Sequence, residues 1–180
     1  MKDVRISTIG LNKVNTRMSK NDLTYKISPP SPCVGLCSTT YGDQICRGCT
    51  RFMHEIISWN QYTPAEKNAT WHRLEQFITQ VLSDKLIVID KEQLKNFLLK
   101  KNIRFTETLN EYSLAWEFIR YHTKNRQTAS HLLEALDYLL IISAEHQKVS
   151  VSSFFHTTQE DLIHLAEAYH ARYIIPAGYT

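Results

Sequence analysis

All four cysteines of this 180-residue chain, Cys33, Cys37, Cys46 and Cys49, fall within one seventeen-residue run. Their spacing, C-x3-C-x8-C-x2-C, sets two close pairs across a short loop, the way a chain surrounds one metal centre with four sulfurs. Gly35, Gly42 and Gly48, three of the five glycines, lie in the same stretch, where the backbone must turn tightly to bring thiolates together. Other uses of the cysteines explain less. Residues 1–10 lack a basic segment followed by an apolar one, so nothing signals export. A reducing, cytoplasmic compartment is therefore expected, where structural disulfides are rare. A thioredoxin-like pair at Cys46 and Cys49 needs a βαβ setting and leaves Cys33 and Cys37 without a role. Four unrelated buried thiols would not cluster in this way.

Four thiolates suit zinc, which closes its structural sites with four ligands, and they equally suit an iron–sulfur cluster. Around a 2+ ion they leave a formal charge of about −2. Arg47, Arg51 and the positive end of a helix expected after Thr50 are placed to offset it. A closed four-cysteine site has no open coordination position, so hydrolytic zinc chemistry is not expected there. His54 could substitute as a ligand, but with four cysteines at hand it reads as a helix-surface residue.

The elements that must position this loop can be read from periodicity and caps. Residues 1–30 form a basic, Ser/Thr/Asn-rich arm, expected to be poorly ordered. Residues 1–29 carry six basic side chains against two acidic ones, which leaves −1 on the other 151 residues of a chain whose net charge is +3. Lys13, Arg17, Lys20 and Lys26 are its candidate contacts to an acidic partner or to RNA. Pro29, Pro30 and Pro32 stiffen the entry to the loop. Beyond it, Thr50 is the expected cap of a helix bearing Phe52, Ile56 and Trp59. Thr63-Pro64-Ala65-Glu66 is a capping box that opens a second helix to about Ser83, with Trp71, Leu74, Ile78, Val81 and Leu82 in one stripe, Phe77 beside it, and Lys67, Arg73 and Gln80 on the polar face.

Leu86–Ile89 reads as a short strand or buried connector. Asp90 with Gln93 caps a third helix ending near Lys101, and Ile103 and Phe105 suggest an extended piece. Thr108 to Glu111 repeats the capping box before a helix with Tyr112, Trp116 and Ile119. A long fifth helix is expected from about Thr128 to Glu145. Val149 and Val151 alternate briefly, and Thr157 to Glu160 caps a sixth helix carrying Leu162 to Tyr169. The expected fold is mainly α: an irregular four-cysteine knuckle, then a helical, bundle-like region, with at most short strands. Residues 31–84 form the metal-binding module with two helices and residues 85–180 the helical remainder, the seam falling at Asp84–Lys85.

Ser31-Pro32-Cys33-Val34-Gly35-Leu36-Cys37, Cys46-Arg47-Gly48-Cys49-Thr50-Arg51, Glu55-Ile56 and Trp59 together resemble the bacterial family called domain of unknown function 1289. Its members are labelled predicted Fe–S proteins. The resemblance covers about residues 31–76. It implies that Cys33, Cys37, Cys46 and Cys49 are the metal ligands, that Arg51, Glu55 and Trp59 are signature positions around them, and that the metal is iron–sulfur. Most members are little longer than the motif, so the 95 residues after Lys85 inherit nothing from it.

Physical readings stand beside the signature. Trp59 suits a core anchor. Glu55 can pair with Arg51 at i,i+4. Gly35 and Gly48 can turn backbone N–H groups toward sulfur. No phosphate loop, nucleophile elbow or H-E-x-x-H occurs, and Ser152, Ser153, His156 and Asp161 read as capping and surface residues rather than a triad. The expected function is a non-enzymatic, cytoplasmic metal-binding module, with zinc ahead of iron–sulfur, that contacts a protein partner. Electron transfer or redox sensing through an iron–sulfur cluster is the alternative, and an RNA-associated accessory factor the second. No small-molecule substrate and no membrane association are expected.

Overall fold

The computed structural model describes residues 29–103, 105, 109–124, 140–142 and 150–178. The basic arm, with Lys13, Arg17, Lys20 and Lys26, lies outside them, as does most of the expected fifth helix.

The protein is mainly α. After a 3-10 turn at Ser38–Tyr41 come α1 (Met53–Ile57), α2 (Pro64–Leu82), β1 (Leu86–Val88), α3 (Lys91–Lys100), α4 (Glu111–Lys124), β2 (Leu140–Ile142) and α5 (Val151–Tyr169), which runs into a π-helical turn at His170–Ile174. α2 begins where its capping box requires. Thr63 Oγ1 accepts from Glu66 N–H at 3.3 Å, and the Glu66 carboxylate accepts from Thr63 N–H at 2.7 Å. Such a cap stabilises a helix by about 1 kcal/mol. Asp90 caps α3 by accepting from Gln93 N–H at 2.9 Å.

Several boundaries differ from expectation. α1 starts at Met53 rather than after Thr50, because Thr50 sits at φ 54° and cannot enter a right-handed helix there. α4 opens at Glu111, where Asn110 Oδ1 accepts from Ser113 N–H at 2.9 Å. Asn110 thus serves as the cap, while Thr108 lies outside the described residues. α5 begins at Val151, well before Thr157, with Ser150 Oγ accepting from Ser153 N–H at 3.1 Å. The reason is a stripe at i,i+4 spacing: Phe154, Thr158, Leu162 and Ala166 are all buried, so the inward face continues upstream through Thr158 and leaves no break for a cap.

Leu140–Ile142 is a strand rather than part of a helix reaching Glu145. It pairs antiparallel with β1 in the register Leu86↔Ile142, Ile87↔Ile141, Val88↔Leu140. A short apolar run rich in β-branched residues fits either state, and the open edge of β1 decides it.

α2 packs on α4 and α5, α3 packs on α4, and α4 packs on α5. Phe77, Leu82, Leu98, Leu114, Trp116, Phe118 and Leu162 lie at the centre, and Ile45 and Phe52 from the cysteine region join the same cluster. Lys85 also forms an ion pair with Asp161 of α5. The hydrophobic cluster therefore runs across the position of the expected seam.

Candidate metal centre

The cysteine region is built on the face of α2. Trp71 Nε1 donates to Pro30 O at 2.9 Å, fixing the strap before the first cysteine, and Pro32 is buried behind it. Gly35, at φ 84°, turns the chain so that its N–H faces Cys33 Sγ at 3.5 Å. Cys37 Sγ lies 3.0 Å from Thr39 Oγ1, and the 3-10 turn closes on Gly42 at φ 95°. The second cysteine pair sits on a narrow hairpin. Ile45 bridges Phe52, Cys46 N–H donates to Arg51 O at 2.8 Å, and Thr50 N–H donates to Cys46 O at 2.8 Å.

Three contacts press the two cysteine segments together. Arg47 N–H donates to Ser38 Oγ at 2.9 Å. Cys46 Sγ donates to Leu36 O at 3.4 Å. Gly48 makes the third by having no side chain: a Cβ there would lie 2.5 Å from Leu36 O and 2.9 Å from Val34 Cγ2. Gly48 is thus required by close approach of two backbones, and its N–H also serves the Cys46 sulfur, as expected. Gly35 likewise presents its N–H to sulfur.

Cys46 and Cys49 are buried, Cys37 is half-buried and Cys33 exposed, and all four are free thiols. The hydrogen bond between Cys46 and Cys49 drives their acidities apart. It lowers Cys46 to about 4, and the same bond, with burial, pushes Cys49 up. Arg51 opposes a proton on Cys49, since its Nε lies 3.4 Å from Cys49 Sγ. One of the pair's two protons is therefore held weakly, which favours the thiolate that a metal requires.

Arg51 is buried and its guanidinium stands 5.0 Å from the centroid of Trp59, which is itself buried as an anchor should be. Glu55 does not pair with Arg51. Its carboxylate accepts from Phe52 N–H at 2.9 Å and from Arg73 Nη2 at 2.5 Å. The start of α1 is therefore satisfied by Glu55. Arg73, expected on the polar face of α2, is 8% exposed and lies 3.9 Å over the Phe52 ring. Sequence reasoning missed it because an arginine beside Leu74 reads as a surface residue. Its i,i+4 relation to Phe77, which its guanidinium also faces at 5.2 Å, is the signal that could have found it. Arg47 points outward to Asp43 at 3.1 Å, and His54 is half-buried near Phe52. Ser152 and Ser153 are exposed in the first turn of α5, while Asp161 is engaged by Lys85.

Among the described residues, no three His, Cys, Asp or Glu side chains are gathered into a group that could hold a metal ion. The donor chemistry nevertheless fits one. Four thiols stand on two segments in van der Waals contact, and N–H donors from Gly35 and Arg51 point at sulfur, as thiolate ligands need.

Residues 31–77 match the family model described as Protein of unknown function (DUF1289). The DUF1289 stretch holds all four cysteines and the Phe52–Glu55–Arg73–Phe77 cluster beneath them, and it ends inside α2. The match leaves out β1, α3, α4 and α5. No curated protein and no solved structure matches the chain. Among the described residues, no helix is long and apolar enough to cross a membrane.

Proposed function

We propose that Cys33, Cys37, Cys46 and Cys49 hold one zinc ion, and that the metal fixes the knuckle as a non-enzymatic interaction module in a reducing compartment such as the cytoplasm. The observation that carries this reading is the close approach at Gly48, which leaves the two cysteine segments no room for a side chain between them. Zinc would supply structure there rather than reactivity, since four thiolates fill its coordination. Tyr41, in the 3-10 turn after Cys37, and Ile57, at the end of α1, support the interaction role: they stand 91% and 73% exposed, apolar surface for a protein partner to cover. The buried Arg51 offsets part of the thiolate charge.

Metal analysis of protein purified without oxygen tests the reading. One zinc per chain in a colourless preparation is expected. Iron with acid-labile sulfide and visible absorption would replace it with the electron-transfer or redox-sensing alternative.

A further inference from the structure

A cavity of about 450 Å³ opens between the cysteine knuckle and helices α4 and α5. Val34, Leu36, Tyr41 and Phe155 give it an apolar lining, and its charged side chains are Arg47 and Arg120, with no carboxylate among them. We propose that this groove binds a small anionic amphiphile: a compact aromatic or aliphatic body with one carboxylate, sulfonate or phosphate group. The inference goes beyond the metal reading and holds for either metal.

Size and lining agree with small-molecule sites, which enclose ~300–1,000 Å³ of mostly apolar space with a few placed polar groups. The wall is rigid. Phe155 stacks on Trp116 with centroids 5.0 Å apart and 12° between planes, and Arg120 lies 5.4 Å from the Trp116 centroid on the same stack. Arg120 is also held by Glu117, through Nη1 at 2.7 Å, with only 12% of its side chain exposed. Arg47 spends Nε on Asp43. Each guanidinium has five N–H donors and only one carboxylate contact, so both keep donors for a ligand anion. Neither Glu117 nor Asp43 lines the groove, while Cys37 does as one of the proposed thiolate ligands, so an anionic head is selected by the free N–H donors of Arg47 and Arg120 rather than by net charge.

The test titrates the full chain, in its metal-bound state, with 1-anilinonaphthalene-8-sulfonate and with the uncharged N-phenyl-1-naphthylamine, both read by fluorescence. One saturable site for the sulfonate is expected, tighter than for the neutral probe. Arg120→Gln should weaken the sulfonate at least tenfold, as loss of a charge-assisted hydrogen bond in a sheltered place does. Arg47→Gln, at an exposed position, should weaken it by about two- to fivefold. The neutral probe should be unaffected by either. Thr40→Trp, which fills the mouth from an exposed position and gives up the 2.8 Å hydrogen bond from Thr40 Oγ1 to Cys37 O, should remove both probes while the metal is retained. If Arg120→Gln fails to fold, Arg47→Gln still decides the matter. Equal sulfonate affinity in Arg47→Gln and wild type, retention of the site in Thr40→Trp, or no saturable binding at all would overturn the proposal.

Discussion

Replacing Gly48 with alanine would put a Cβ 2.5 Å from the backbone oxygen of Leu36 and 2.9 Å from Cγ2 of Val34. The Val34 side chain is half-buried and can rotate, but the Leu36 carbonyl belongs to the loop between Cys33 and Cys37. To restore an ordinary contact of 3.4 Å, that loop must retreat by about 0.9 Å. The retreat carries the Cys33–Cys37 loop away from Cys46, whose Sγ now lies 3.4 Å from Leu36 O. Overpacking of this kind costs about 1–3 kcal/mol, and in a chain of this size about 2 kcal/mol lowers the melting temperature by roughly 4–8 °C. The larger effect falls on metal. Ligand distances tolerate only about 0.2 Å, so a shift several times greater should weaken zinc binding by at least about tenfold. Gly42→Ala is the control: no atom lies within 4 Å of its Cβ, and its cost of about 1–2 kcal/mol comes from φ 95° alone. Competition against a chromophoric chelator, with a thermal melt of each variant, reads both effects. Zinc affinity in Gly48→Ala within twofold of wild type would refute the packing argument.

Arg73→Met leaves the Glu55 carboxylate buried without its partner and should cost about 3–5 kcal/mol in urea denaturation; adding Glu55→Gln should recover part of that, and a cost for Arg73→Met below 1 kcal/mol would show the pair to be unimportant. Cys46→Ser should raise hydrogen exchange across residues 31–60 while α3 and α4 keep their protection, whereas uniform loss would mean that the shared cluster at Ile45 and Phe52 makes the chain one cooperative unit. His122 packs between Phe97 and Phe118 with both ring nitrogens buried and unpartnered, and burial, then Lys101, lowers its pKa below 6.5. The unfolded chain then binds the proton more readily, so stability should fall as pH drops below about 6.5 and level off below the folded-state pKa. His122→Phe should flatten that part of the profile, and an unchanged slope would assign it to His54 or His170, whose values burial also lowers.

What could be read from the sequence was local. Cysteine spacing marked the candidate site, and the Thr63–Glu66 and Asp90–Gln93 caps set helix starts, because a cap is decided within four residues. What escaped depends on neighbours distant in sequence. Thr157 to Glu160 carries a good capping pattern but lies inside α5, since Thr158 is wanted in the core. Leu140–Ile142 became a strand through a partner more than fifty residues away. Arg73 is buried because Glu55, eighteen positions earlier, supplies its counter-charge, and nothing in the pattern of α2 announces that. Gly48 shows the same limit: its spacing suggested a turn, while the contact that demands glycine comes from Leu36.

Metal content of the intact chain against Cys46→Ser, both purified without oxygen, decides whether the four cysteines form a zinc site. One zinc per wild-type chain, no visible absorption, and loss of the metal in the variant are expected. No metal in the wild-type protein, or iron accompanied by acid-labile sulfide, would contradict the zinc assignment.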